Sequence, residues 1–90
     1  MCRNIRRLHN VDPPATAEEV RDAALQYVRK VSGSTKPSQA NAEAFARAVD
    51  EVAAVTERLL TSLVTTAPPQ DREAAAAKAR ARAARRYAAA

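Results

Sequence analysis

The sequence holds one glycine, one cysteine, one histidine and no tryptophan in 90 residues, and aromatics make up only 3% of it. A single glycine leaves nothing from which to build a Gly-rich phosphate loop. A single cysteine, Cys2, excludes an intrachain disulfide and points to a reducing, cytoplasmic home. Cys2 and His9 cannot together complete a tetrahedral metal site, which takes four protein ligands when structural. No nucleophile, base and orienting acid share a recognisable spacing, so catalytic residues, metal and cofactor are all expected to be absent. No apolar run reaches the length of a membrane span or of a signal peptide core, so a membrane is not an expected partner.

Large apolar side chains are also scarce, and apart from Tyr87 they stop at Val64. The chain therefore divides into a core-forming part, residues 1–66, and an Ala/Arg-rich basic helix, residues 67–90, that has little core of its own and docks loosely. Charge follows the same division. Every acidic residue lies between Asp12 and Glu73, a stretch with ten acidic and seven basic side chains. The net charge of +5 comes from the two ends: Arg3, Arg6 and Arg7 at one, and Lys78, Arg80, Arg82, Arg85 and Arg86 at the other. Basic ends fit phosphate-bearing partners, and they also serve solubility.

The organising stretch is 38–66. It has no Gly and no Pro, and Phe45, Val49, Val52, Thr56, Leu59 and Leu63 recur at steps of four and three. That spacing predicts an amphipathic helix whose stripe must be covered, with Leu59 and Leu63 in the core. An earlier helix is predicted over 16–32. Thr16 and Glu19 form a capping box, Gly33 suits a left-handed terminal residue, and Val20, Val28 and Val31 form the buried face. The short connection between them predicts an antiparallel hairpin, with Ser38 as the second helix's cap.

The first helix is too short to reach the Val55–Leu63 end of the second. Ile5, Leu8 and Val11, spaced by three, are expected to form a helical or 3₁₀ turn that seals it, with Cys2 near Pro68 and Pro69. Pro13 and Pro14 then keep the chain extended. A third helix is predicted over 70–88, with an alanine stripe lying against the second helix and Tyr87 as its one large anchor. The fold class is all-α.

Two features could carry function. On the third helix Lys78, Arg82, Arg85 and Arg86 share a face, with Arg80 on the other side, a stripe that could track phosphates. It lacks interleaved aromatics, so base stacking is not expected. The bland alternative is a solvated helix that keeps a small protein soluble. Cys2 is the second feature. Arg3, Arg6 and Arg7 would favour its thiolate, whereas the commoner fate of a lone cysteine is burial. Lys36, Ser38, Gln39 and Asn41 at the start of the second helix mimic a helix-turn-helix, but the connection is long for that motif and Glu43, Asp50 and Glu51 follow.

MCRNI at the start, PPAT before the first helix, VRKVSG at its end, KPS before the second and LVTTAPP after it resemble a family of short bacterial proteins classed as a domain of unknown function. The resemblance runs to about Ala79. It implies a bacterial, cytosolic, helical protein and supplies no activity. It draws attention to Cys2 and Asn4 without giving them a role, and the family's frequent aromatic at His9 argues against chemistry there. The first functional reading is a non-enzymatic binding module for an acidic partner, nucleic acid first, through the basic ends. The alternatives are a thiol-dependent function at Cys2 and a structural protein that forms a homodimer along its helical stripe.

Overall fold

The computed structural model describes residues 5–89. These residues are mainly helical, with three α-helices, one 3₁₀ turn and one small parallel sheet among them: β1 Val11–Asp12, α1 Ala17–Ser32, the 3₁₀ turn Gln39–Asn41, α2 Ala42–Ser62, β2 Gln70–Asp71 and α3 Arg72–Ala89.

Helix α1 begins and ends as its local sequence dictates. Thr16 is extended, its Oγ1 accepts from Glu19 N at 3.1 Å, and Glu19 Oε1 accepts from Thr16 N at 3.0 Å. That reciprocal pair satisfies two of the amide donors that every helix start leaves over. At the other end Gly33 takes φ 71°, a left-handed conformation that costs glycine nothing and stops the helix. Val20, Ala24 and Val28, four residues apart, form the buried face. Ala24 and Val28 join Val49 of α2 in the core, with Phe45, Val52 and Leu25 packed against them.

Val31 has the spacing of that core and yet is 70% exposed. Helix α2 starts later than Ser38 suggested, after the 3₁₀ turn, and Ser38 makes no side-chain cap bond. The first large apolar side chain of α2, Phe45, packs against the Val28 cluster and lines a groove with Ser32, and Val31 lies about 100° round α1 from Ser32. Helix α2 also stops at Ser62, four residues short of the expected end. Val64, Thr65 and Thr66 are β-branched and poor helix formers, and Leu63 is already extended.

The largest departures are at the two ends. Residues 5–10 are neither helical nor 3₁₀. Val11 instead enters β1, in parallel register with β2: Val11 beside Gln70 and Asp12 beside Asp71. Asn10 takes φ 54°, which asparagine tolerates. Its carbonyl accepts from Gln70 N at 2.9 Å, and its Nδ2 donates to the carbonyls of Ala67 and Pro68 at 3.2 Å each. These backbone partners, which a period-three apolar pattern cannot reveal, tie the end of the segment to the start of β2 in place of a helical turn.

The segment does reach the far end of α2, where Ile5 and Leu8 share the walls of a groove of about 410 Å³ with Leu59 and Leu63. It does not seal that end. Leu59 is 54% and Leu63 44% exposed, because two large apolar residues in an Arg-rich segment cover too little area. Both therefore lie outside the core in which the stripe had placed them. Helix α3 does not pack along α2 among the described residues. Its ties are to β2 and, through Arg72, to α1, and Tyr87 stands exposed instead of anchoring it.

Candidate functional site

The β1–β2 pairing has a consequence for charge. It sets the start of α3 beside the N-terminal segment, so residues far apart in sequence form one wall and the other of a cleft of about 700 Å³. Arg6 and Arg7 come from the segment, and Arg72 and Arg80 from α3. The floor is small: Val11, Ala75, Ala76 and Ala79 leave room that larger side chains would fill. Glu19 is the one carboxylate in the lining among the described residues.

Glu19 does two jobs. Its Oε1 closes the capping box of α1, and its Oε2 accepts from Arg72 Nη1, which fastens the first residue of α3 to the first turn of α1. Both side chains are partly covered, 28% exposed for Arg72 and 35% for Glu19. The Arg72 guanidinium, and after it the Thr16 backbone N–H, hold the Glu19 carboxyl below its ordinary value. Only one nitrogen of Arg72 is used. Its Nε and Nη2 are buried without an acceptor among the described residues, and a buried donor left unpaired is costly. Asp71 completes the junction as cap of α3, its Oδ1 accepting from Ala74 N at 3.0 Å.

The residues singled out in the sequence are distributed unevenly over this surface. Arg6 and Arg7 are exposed on the cleft rim, and Arg7 Nε donates to the His9 carbonyl at 2.9 Å. Arg80, set apart from the basic stripe, is the member that lines the cleft. It lies about 160° round α3 from both Lys78 and Arg82. Lys78 and Arg82 border a separate depression of about 400 Å³ beside Asp71, and Arg85 and Arg86 stand exposed further along the helix. Cys2 and Arg3, with Asn4, lie outside the described residues.

Arg72 and the second role of Glu19 were not legible in advance. Glu19 declares itself as a capping residue three positions after Thr16, but nothing local announces a partner 53 residues away. Among the described residues no group of His, Cys, Asp and Glu could hold a metal ion, and no helix is long and apolar enough to cross a membrane.

Neither a curated protein nor a solved structure matches the chain. Residues 1–78, which include the N-terminal segment, α1, α2 and the Glu19–Arg72 junction but stop before Arg80 and most of the basic stripe, match a described family: the chain belongs to the uncharacterized conserved proteins of DUF2277.

Proposed function

We propose that the protein is a non-enzymatic binding module for an acidic partner, nucleic acid before acidic protein, and that both basic ends contribute to one binding surface. The observation that supports this is the shared cleft: Arg6 and Arg7 face Arg72 and Arg80 across it, with Glu19 as the one carboxylate in the lining among the described residues. Arginine suits phosphate because its planar fork donates two parallel bonds and stays charged. The stripe of Lys78, Arg82, Arg85 and Arg86 extends the same positive field along α3, whose alanine content keeps it helical without a partner.

In this reading residues 1–66 are the platform and 67–90 the presenting helix. We take α1 and α2 as an antiparallel hairpin, in keeping with Val28 beside Phe45 and Ala24 beside Val52. The setting is the cytoplasm. The test is binding of mixed duplex and of RNA at several salt concentrations, by the natural chain and by a variant with Gln at 78, 82, 85 and 86. Phosphate contacts release counterions, so log affinity should fall with log salt by about 0.9 per duplex phosphate neutralised, and less steeply in the variant. Equal binding by the two proteins removes the stripe from the interface.

A second reading, a homodimer along the α2 stripe, is favoured by one observation. Val55 and Leu59 on α2, and Leu63 just beyond its end, are 55%, 54% and 44% exposed. Sedimentation equilibrium tests it: a monomer at every concentration removes it.

A further inference from the structure

We propose that Glu19 and Arg72 are a positioning pair: their ion pair sets the angle of α3, and binding by the two basic ends as one surface depends on it. The proposal rests on the anion-binding reading above and names the contact that assembles its surface. It carries a prediction of unexpected sign, because removing a carboxylate should weaken the binding of an anion.

The ties of α3 are few and lie at its start. Strand β2 is paired with β1 and its approach is held by Asn10, but those bonds end at Asp71, one residue before the helix. The Asp71 carboxylate caps α3 at Ala74 N, which joins the first turn to its own strand and to no other helix. Among the described residues the Arg72–Glu19 contact is the one hydrogen bond or ion pair that joins α3 to another helix. The alanines that follow bring too little apolar area to hold α3 by packing.

Small changes at that start are large further along. Helix α3 has 18 residues and is about 27 Å long. A tilt of about 30° at Arg72 would carry the backbone of Arg80 about 6 Å and that of Arg86 about 11 Å, at about 1.5 Å of rise per residue. Roll matters as much. Arg72, Ala75, Ala76, Ala79 and Arg80 follow the i, i+3, i+4, i+7, i+8 pattern of one helix face, and all of them line the cleft. Holding Arg72 against α1 therefore keeps the face that carries Arg80 on the cleft.

Glu19 is itself held in place. Its Oε1 accepts from Thr16 N in the capping box, so Oε2 meets Arg72 from a side chain that α1 has already ordered. Less freedom is lost when such a side chain pairs, and both partners are partly covered. Glutamine has one acceptor oxygen where the carboxylate has two. E19Q can therefore keep the capping box, which tolerates glutamine, while releasing Arg72.

The test uses the full chain and three variants. E19Q breaks the pair. E18Q removes the same charge from the neighbouring residue, which is exposed and outside the cleft lining. R72K keeps a cation within reach of Glu19. The angle of α3 is read by pulsed electron paramagnetic resonance between spin labels at exposed positions 46 on α2 and 83 on α3, introduced into each protein as C2S/A46C/A83C. Binding of a mixed-sequence DNA duplex is titrated at one low salt concentration. The expected distance distribution is narrow in the natural chain, E18Q and R72K, and broad or displaced in E19Q. E19Q should also bind duplex about threefold or more weakly, the loss expected when α3 holds the binding angle about a third of the time or less. E18Q should bind as tightly as the natural chain or slightly more tightly, as loss of a negative charge alone requires. R72K should stay within about twofold, since the pair uses one nitrogen of the guanidinium.

An unchanged distance distribution in E19Q overturns the proposal whatever the affinities, because α3 then keeps its angle without the pair. A changed distribution with duplex binding as tight as that of the natural chain, or tighter, also overturns it and leaves two basic ends that bind independently. Equal weakening by E18Q and E19Q overturns it as well. No duplex binding by the natural chain overturns the anion-binding reading, and with it the dependence of binding on the pair. A broadened E19Q distribution would still uphold the pair as what sets the angle. Should E19Q unfold by circular dichroism, R72Q, which leaves the capping box intact, takes its place in the distance measurement.

Discussion

Two substitutions on one helix face separate core from groove. Val49 is 4% exposed and packs with Ala24 and Val28, whereas Leu59, ten residues along the same stripe, is 54% exposed on the wall of the groove. Val49→Ala removes two carbons from a closed site. At about 0.8 kcal/mol per buried carbon, with a small cavity added, the loss is about 2 kcal/mol. Leu59→Ala removes three carbons, but less than half of the side chain is covered and the groove opens to water, so the loss is about 1 kcal/mol. In a domain of this size each kcal/mol lowers the melting temperature by about 4–8 °C. Thermal and urea melts followed by circular dichroism at one protein concentration would read both losses. Leu59→Ala costing as much as Val49→Ala would mean that the groove is closed in solution, by the N-terminal segment or by a second copy. A repeat at higher concentration tells those apart, since only the second copy makes the loss grow with concentration.

Other consequences are as direct. Thr16→Ala removes one half of the capping box and should lower stability by about 1 kcal/mol, read in the same melts. The Glu19 carboxyl is held below its ordinary value of 4.5, so its contribution is fully present above that pH and is lost as pH falls through the lowered value of the folded chain. Glu19→Gln should therefore flatten the acid limb of the stability profile, and an unchanged limb would show that other carboxylates set it. Removing residues 1–10 takes away β1's Val11 neighbour Asn10 and the groove wall of Ile5 and Leu8, and should lower the melting temperature clearly. An unchanged melt would make the segment a free arm.

What could be read from the sequence was local. The Thr16–Glu19 box, the left-handed Gly33 and the apolar steps of α2 each depend on residues within a turn or two of one another, and each is as expected. The misplaced residues depend on coverage. Leu59, Leu63 and Val31 have the spacing of a core, but burial requires an opposing surface, and the chain runs short of large apolar residues to supply one. Two-residue strands such as Val11–Asp12 and Gln70–Asp71 are too short to leave a period in the sequence. The cleft was illegible for the same reason. Arg80 stands apart from the basic stripe in the sequence and nothing local marks Arg72; β1 and β2 put the two ends of the chain side by side and bring both into one cleft.

The account turns on whether both basic ends act in one interface, and the salt dependence of binding measures that most directly. The natural chain, R6Q/R7Q and the variant with Gln at 78, 82, 85 and 86 would be titrated with mixed duplex DNA over a range of salt. Each variant should bind more weakly and with a shallower slope of log affinity against log salt, by about 0.9 for every phosphate it no longer neutralises. An R6Q/R7Q protein with the affinity and slope of the natural chain would contradict the account, because the N-terminal arginines would then face a cleft that no partner enters.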